Sequence, residues 1–287
     1  MKGLYPFFSH SLELNSNKYH FLDEGQGETL LMLHGNPTWS FYYRNLILGL
    51  KKSYRCVVPD HMGMGKSDKP QYYNYTLSQH IDNLEALVDR LGLNDITLVV
   101  HDWGGAIGMG FAVRHPQKIK RLVLFNTAAF LSEKLPIRLK LCRLRGFGSI
   151  AIRGFNAFAL AAINIACKNK ERMTDEVRAG YLAPYDNFAN RIGTLRFVQD
   201  IPMKPDAPSY SVVKHIEENL EQFKSLPVMI VWGAKDFVFN DHFLKRWQKI
   251  FPEAEVYRVQ DAGHYVVEDA HERIIPWMQR FLQENPL

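Results

Sequence analysis

The 287-residue sequence lacks several features that would each identify a class of protein. It has three cysteines, Cys56, Cys142 and Cys167, which are too few and too widely spaced for a disulfide framework or a metal-binding motif. It has no apolar run of about 18 residues, so no membrane span is predicted. The first residues show neither a long apolar core nor a small-residue cleavage site, so no signal peptide is predicted. These absences favour a globular protein of the reducing cytoplasm.

The sequence also lacks internal repeats, low-complexity stretches and a strong charge of one sign. Apolar residues make up 46% of the chain, charged residues 23%, and the formal net charge is +5. These values are ordinary for a globular domain and do not by themselves indicate nucleic-acid binding. We therefore predict no nucleic-acid partner, and composition leaves the oligomeric state open. The partner we expect from the motifs below is a small hydrophobic substrate.

Short apolar runs that alternate with helical patterns indicate an α/β fold with a mostly parallel sheet. One helix is especially clear, because Thr76 and Gln79 form a capping-box pattern before a run of periodic apolar residues that stops at Gly92. The eight predicted strands are His10–Leu14, Tyr19–Asp23, Thr29–Leu33, Arg55–Pro59, Ile96–His101, Arg121–Phe125, Val228–Trp232 and Glu255–Val259.

The strand–helix rhythm breaks after Thr127 and resumes near residue 223. The intervening segment is rich in Ala, Leu, Arg and aromatic residues and predicts several helices. We interpret residues 1–127 and 223–287 as the core domain and residues 128–222 as an inserted helical cap. Ligands of open α/β sheets bind at the carboxyl edge of the strands, so a cap there would build a pocket and exclude water.

The stretch VVHDWGGAIG places Asp102 where a predicted strand turns sharply into a helix. In many hydrolases this turn reads G-x-S-x-G and exposes a nucleophilic serine. A carboxylate at this position has three interpretations: a nucleophile, a metal ligand or an ordinary helix cap.

Two further residues favour the nucleophile. Asp236 lies four residues after the end of a strand, and His264 lies five residues after the end of the next strand, so both belong to loops at the same sheet edge as Asp102. The chain order nucleophile, acid, base is that of the α/β-hydrolase triad. Asp102 would attack carbon, His264 would activate water against the resulting ester, and Asp236 would orient His264.

A second cluster, HGNPTWSFYYRN, follows another strand that ends at this edge. The backbone N–H groups of Asn36 and Trp103 would form an oxyanion hole, and the Asn36 amide and Trp103 indole would stabilise an anionic leaving atom. The competing interpretation makes Trp103 a core aromatic and Asn36 a turn residue.

The stretch GMGKS resembles the end of a phosphate-binding loop, but the full motif needs a glycine where Asp60 stands. We assign no nucleotide, cofactor or metal to the chain.

Five segments together resemble the haloalkane dehalogenase family of α/β-hydrolases. They are HGNPTWS, PDHMGMGKSDKP, VVHDWGG, WGAKDFVF and DAGHYVVED. The resemblance implies catalytic Asp102, His264 and Asp236 with Asn36 and Trp103 as the halide-stabilising pair. An acid after the seventh strand together with Asn36 resembles the third subfamily.

The cap and its borders resemble more narrowly the β-lactone decarboxylases of bacterial long-chain olefin biosynthesis. The segments are NTAAF, RGFNAFA, YLAPYDNFANRIGTLRFVQDIPM and KDFVF. This resemblance implies conversion of a cis-β-lactone with two long alkyl chains into a cis-alkene and carbon dioxide.

Other functions remain open at this point. They are haloalkane hydrolysis, epoxide hydrolysis with Tyr181, Tyr185 or Tyr210 as proton donors, and a non-catalytic binding role.

The cap also carries Lys134, Arg138, Lys140, Arg143, Arg145 and Arg153 among Leu, Ile, Phe and Ala. This pattern predicts either an ordinary pocket wall with a solvated basic face or a surface that docks on anionic lipid or on partner biosynthetic enzymes.

Overall fold

Eight strands form one sheet in the computed structural model, which describes residues 3–133, 136–144 and 146–287. Their spatial order is β1-β2-β4-β3-β5-β6-β7-β8. Strand β2 pairs antiparallel with both β1 and β4, and all the other neighbours pair parallel. The bounds are β1 His10–Leu14, β2 Asn17–Glu24, β3 Thr29–Leu33, β4 Arg55–Pro59, β5 Ile96–Asp102, β6 Ile119–Thr127, β7 Val228–Gly233 and β8 Glu255–Val259. The predicted eight-stranded, mostly parallel sheet is therefore confirmed.

The central strands are buried and the edge strand is exposed. Every residue of β3 and β5 is buried, because these central strands are covered on both faces. The edge strand β1 is mostly exposed. Strand β6 extends beyond the predicted Arg121–Phe125 at both ends, and β5 runs one residue further than predicted, to Asp102.

Two layers of helices cover the sheet. Helices α1 and α10 pack on one face, while α2, α3, α8 and α9 contribute to the core on the other. The bounds are α1 Arg44–Leu50, α2 Leu77–Arg90, α3 Trp103–Arg114, α4 Ile137–Cys142, α5 Ala157–Ile165, α6 Asp175–Leu182, α7 Ile192–Gln199, α8 Tyr210–Glu218, α9 Asp241–Ile250 and α10 Val266–Glu284, which is kinked at Ala270.

Helix α2 begins with half of the predicted capping box. The Thr76 hydroxyl accepts a hydrogen bond from the Gln79 N–H at 3.4 Å, as the pattern predicts. The Gln79 amide, however, donates to Asn83 Oδ1 at 3.3 Å instead of returning to the start of the helix. The second bond of a capping box, between the Gln79 side chain and the Thr76 backbone, is therefore replaced by a bond from Gln79 to Asn83, one helical turn later.

Helices α4 to α8 lie between β6 and β7, where the sequence predicts the cap. Helix α8 falls within the predicted range 128–222, yet it packs against α3, and its Val213 and Ile216 belong to the main core. Lys134 and Arg145, two of the predicted cap cations, lie outside the described residues. Among the described helices, none is long and apolar enough to cross a membrane.

Candidate active site

Asp102 lies at the sharp turn that the sequence predicts. It ends β5 and precedes α3 with φ +51° and ψ −123°, a backbone conformation that non-glycine residues seldom adopt. The turn is tight because Gly105 packs on Thr127; a Cβ atom at Gly105 would lie 1.8 Å from Thr127 Oγ1. The Thr127 hydroxyl in turn donates to the Asp102 carbonyl at 2.5 Å. Thr127, on the neighbouring strand β6, therefore stabilises the strained backbone of Asp102.

The carboxylate of Asp102 is held by backbone donors from two loops. The Asn36 N–H donates to Asp102 Oδ1 at 2.7 Å, and the Trp103 N–H also donates to this carboxylate. Gly35 permits the approach, because a Cβ atom there would lie 2.1 Å from Asp102 Oδ1. Two backbone N–H groups therefore converge on the Asp102 carboxylate, at the place where the sequence predicts an oxyanion hole.

Neither alternative interpretation of Asp102 gains support. Its side chain accepts from the N–H of Trp103, the first residue of α3, but makes no capping hydrogen bond to the residues that follow in the helix. Within the described ranges, no group of three His, Cys, Asp or Glu side chains is placed to hold a metal ion. Burial raises the pKa of Asp102, while His264 and the N–H groups of Asn36 and Trp103 oppose that rise by favouring the carboxylate.

His264 and Asp236 meet Asp102 at the sheet edge. His264 Nδ1 is 2.8 Å from Asp236 Oδ2, and His264 Nε2 is 3.7 Å from Asp102 Oδ2. All three side chains are buried. Burial disfavours the imidazolium, but attraction to Asp236 and then to Asp102 outweighs it, so the pKa of His264 is raised. The three side chains form an Asp–His–Asp triad in which His264 lies between two carboxylates.

Asn126 is a further site residue whose role the sequence does not reveal. Its amide donates to Asp236 Oδ2 at 2.9 Å, on the same oxygen that His264 contacts. Its own oxygen accepts from the Gly233 N–H at 2.7 Å, which fixes the amide orientation. The other Asp236 oxygen accepts from the N–H groups of Val238 and Phe239. The signal that could have found Asn126 is its position at the carboxyl end of β6, beside the triad loops.

The two predicted side-chain donors both face the same cavity. Asn36 and Trp103 line it together with Asp102 and His264, whereas Asp236 lies behind His264. The Asn36 amide donates to the Thr194 carbonyl of the cap at 3.1 Å, which leaves its second N–H available to a ligand. The Trp103 indole packs edge-on against Phe197, with ring centroids 5.3 Å apart. The cap therefore orients both donors.

The cavity above the triad holds about 380 Å³ and is lined mainly by apolar side chains. They come from the loop after β6, from α4 and α5 of the cap, and from the loop after β7; examples are Phe130, Leu131, Leu139, Phe158, Ile165 and Phe239. Of the described residues around this cavity, none is Tyr181, Tyr185 or Tyr210. The first two are engaged elsewhere, since Tyr181 donates to Glu268 and Tyr185 to the Thr38 carbonyl. An apolar substrate therefore fits, and the tyrosines proposed for epoxide opening lie outside the cavity lining.

A buried carboxylate ties the cap to the loop that carries the base. Asp269 accepts hydrogen bonds from the Gly263 N–H at 2.7 Å, immediately before His264. It also accepts from the N–H groups of Lys168 and Asn169, at 2.8 and 2.7 Å, and from the Cys167 thiol at 3.0 Å. One side chain therefore fixes the backbone of both loops, a role that the sequence pattern does not indicate.

Known proteins resemble this chain over nearly its whole length. The family model described as "alpha/beta hydrolase fold" matches residues 28–146 and 157–270. A protein of Shewanella oneidensis named cis-3-alkyl-4-alkyloxetan-2-one decarboxylase is 50% identical, with 98% of this chain and 90% of that protein covered. A protein of Mycobacterium bovis named haloalkane dehalogenase 2 is 31% identical, with 94% and 93% covered.

A solved structure supports the fold independently. The haloalkane dehalogenase DatA of Agrobacterium tumefaciens superposes with a TM-score of 0.88 over 100% of both chains, at 22% identity. The triad, the cap and these similarities lead to one assignment: the chain belongs to the α/β-hydrolase family and, within it, to the group that contains the cis-3-alkyl-4-alkyloxetan-2-one decarboxylases and the haloalkane dehalogenases.

Proposed function

We propose that this enzyme decarboxylates cis-β-lactones that carry two alkyl chains, giving a cis-alkene and carbon dioxide. The observation that carries the proposal is the 50% identity, over 98% of the chain, to a decarboxylase named for that substrate. The apolar cavity directly above Asp102 supports it, because alkyl chains need an apolar lining. The product places the enzyme at the alkene-forming step of hydrocarbon synthesis, and the free, buried Cys56 and Cys167 fit a cytoplasmic location.

In the first step, Asp102 opens the lactone ring. Its Oδ1 is held by the Asn36 N–H, so Oδ2, the oxygen 3.7 Å from His264 Nε2, is the one available for attack. We place the attack at C4, the alkyl carbon bonded to the ring oxygen. The Asp102–C4 bond forms, the C4–O bond breaks, and the ring oxygen becomes part of a carboxylate on C3.

In the second step, that carboxylate leaves as carbon dioxide. The electron pair of its bond to C3 forms the C3=C4 double bond, and the C4–Asp102 bond breaks to restore the Asp102 carboxylate. No water and no net proton transfer are required. Attack inverts C4, and anti elimination then leaves both chains on one side of the double bond, as a cis-alkene.

The two neutral donors stabilise the charge that develops between these steps. The free N–H of Asn36 and the indole N–H of Trp103 face the cavity with Asp102, where the new carboxylate appears. Burial lowers the pKa of His264, but Asp236 and Asp102 outweigh burial and raise it, and the protonated imidazole favours the ionised form of Asp102. In this reaction His264 acts through electrostatics and does not activate water.

Haloalkane hydrolysis is the second candidate, and the position of His264 favours it. In that reaction Asp102 displaces the halide from carbon to give an alkyl ester. Water then attacks the ester carbonyl and His264 accepts its proton. The 3.7 Å separation between His264 Nε2 and Asp102 Oδ2 suits such a base, and a 31% identical relative is named a haloalkane dehalogenase.

A direct comparison tests the proposal. Purified enzyme is incubated with a cis-3,4-dialkyl β-lactone and, separately, with a bromoalkane of similar chain length, and alkene, bromide and alcohol are measured. The Asp102→Asn variant is the matched control for background reaction. We expect alkene in excess of alcohol; alcohol and bromide without alkene would refute decarboxylation and assign haloalkane hydrolysis.

Oxygen-18 water gives an independent readout. After many lactone turnovers, Asp102 should carry no label, because its ester is resolved without water. Hydrolysis of an alkyl ester would place label in Asp102.

A further inference from the structure

The outer face of the cap is both apolar and basic. Large apolar side chains stand exposed on α4, on the segment before α5 and on α5 itself: Ile137 is 74% exposed, Ile150 62% and Phe155 72%, and Leu141, Leu144, Phe147 and Leu160 are also exposed. We call these seven residues the cap patch. Isolated exposed apolar residues are normal on a protein, but seven within 24 positions form a concentrated surface.

The charge of this segment has one sign. Between Glu133 and Glu171 the sequence contains eight Lys or Arg and no Asp or Glu, although the whole chain has 35 basic and 30 acidic residues. Lys140 is exposed and adjoins Leu141 of the cap patch. The Arg153 guanidinium lies over the Phe188 ring at 4.0 Å, and Phe188 is itself 51% exposed. The surface therefore combines positive charge with apolar side chains.

The cap patch lies on the outside of the cavity wall. In α4, Leu139 and Cys142 line the cavity, while Ile137 and Leu141 on the same helix are exposed. The wall here is one helix thick. Ala157, Ala161 and Phe237 are both exposed and part of the cavity lining, so the cavity reaches solvent next to Phe155 and Leu160.

We propose that the cap patch docks on an anionic lipid bilayer, with the mouth of the cavity facing the bilayer. Apolar side chains that enter the interface and cations that meet acidic head groups are what peripheral membrane binding requires. Charge complementarity selects this occupant, because the segment has no acidic side chain to repel an anionic surface. Given the proposed function, a lactone with two alkyl chains then enters the cavity directly from the bilayer.

Flotation with vesicles tests the docking without reference to activity. The probes are vesicles of phosphatidylglycerol and phosphatidylethanolamine, and vesicles of phosphatidylcholine alone. We expect the wild type to float with the acidic vesicles at low salt and to be released at about 1 M salt, where charges are screened beyond about 3 Å. Wild type that stays with the unbound fraction at low salt would overturn the proposal and leave an acidic protein surface as the partner that the patch fits.

A charge-reversed pair and its control locate the binding surface. In Lys140→Glu/Arg153→Glu, two cations of the cap become anions, and the partition coefficient should fall about tenfold or more. The control Lys52→Glu/Arg90→Glu also reverses one Lys and one Arg. Both control residues are exposed, and they precede β4 and β5, so they lie at the sheet edge opposite the cap. An equal loss of vesicle binding in both double variants would refute the cap patch as the specific binding surface.

A third variant separates apolar insertion from charge. Ile150→Ser/Phe155→Ser keeps the cations and should still weaken vesicle binding, since two of the most exposed side chains of the cap patch no longer enter the interface. Unchanged binding would refute insertion of this face.

Activity then tests substrate delivery. The Lys140→Glu/Arg153→Glu pair should retain wild-type turnover of a short, water-soluble β-lactone but lose turnover of a long-chain lactone held in acidic vesicles. Loss of both would indicate damage to the fold and refute delivery as the cause. If wild type floats but decarboxylates neither lactone, the docking stands and the proposed function fails.

Discussion

His264→Gln distinguishes the two chemistries that the triad supports. In haloalkane hydrolysis the alkyl ester on Asp102 is released only when a base takes a proton from water, and glutamine cannot do this. Loss of a general base costs about 10²–10⁴-fold. We therefore expect a single burst of about one bromide per active site, followed by accumulation of the alkyl ester.

The same variant behaves differently with a β-lactone. Decarboxylation needs no proton from water, so the loss comes from the missing charge beside Asp102. At 3.7 Å and an effective dielectric constant of 20, a unit charge on His264 interacts with the carboxylate by about 4.5 kcal/mol as an upper limit. Without it, burial leaves more of Asp102 protonated at neutral pH, and the lactone rate falls. Alkaline pH should restore that rate, because it ionises Asp102 again.

The assay is mass spectrometry of the peptide that holds Asp102, combined with alkene formation over a range of pH. With bromoalkane, the peptide gains the mass of the alkyl group; with lactone, no adduct accumulates and alkene formation recovers at high pH. Circular dichroism of the variant checks the fold. An adduct that accumulates with the lactone, or a lactone rate that alkaline pH does not restore, would refute the mechanism in which water takes no part.

Three further variants and one titration extend these tests. Asp102→Ala should abolish turnover of every substrate while leaving the far-ultraviolet circular dichroism unchanged; wild-type-like turnover would remove the basis of the mechanism. Gly35→Ala should reduce kcat strongly, because its Cβ would lie 2.1 Å from Asp102 Oδ1 and displace the carboxylate, and an unaffected kcat would contradict this contact. As pH falls, bromoalkane hydrolysis should be lost first, when His264 with its raised pKa becomes protonated, and lactone decarboxylation later, when Asp102 does. Burial raises the pKa of Asp200 to about 6. Its protonated carboxyl group therefore contributes stability that is fully present below the unfolded pKa of 3.8 and is lost as pH rises through 6. Relative to Asp200→Asn, the wild-type free energy of unfolding should fall by up to about 3 kcal/mol between pH 4 and pH 8, and parallel pH profiles of the two proteins would disprove this.

The sequence predicts the fold and the three triad residues because both leave local signals. Each buried strand is a short apolar run, and Asp102, Asp236 and His264 each follow such a run at a fixed distance. Parallel strands bring their carboxyl ends to one edge, so residues far apart in the chain meet there. Strand order and side-chain contacts were not needed for this prediction.

Contacts that depend on three-dimensional packing were missed. Asn126 acts on Asp236, 110 residues away, through an orientation that the Gly233 backbone fixes. Gln79 fits a capping box by spacing, but its amide bonds to Asn83. Helix α8 lies within the predicted cap range, yet its apolar face packs on α3. Spacing identifies candidate partners, while competition between available partners decides which bond forms.

The hydrogen bonds of Asp269 bear on how the cap could be exchanged between relatives. Its carboxylate fixes Gly263, next to the base, and the backbone of Lys168 and Asn169 in the cap. The Tyr265 N–H donates a further hydrogen bond to the Ala166 carbonyl at 3.0 Å. A chimera that grafts a foreign cap on this core would therefore lose partners that hold the base loop, even if every triad residue were kept. Modular redesign of this enzyme has to treat residues 166–169 and 263–269 as one inherited unit.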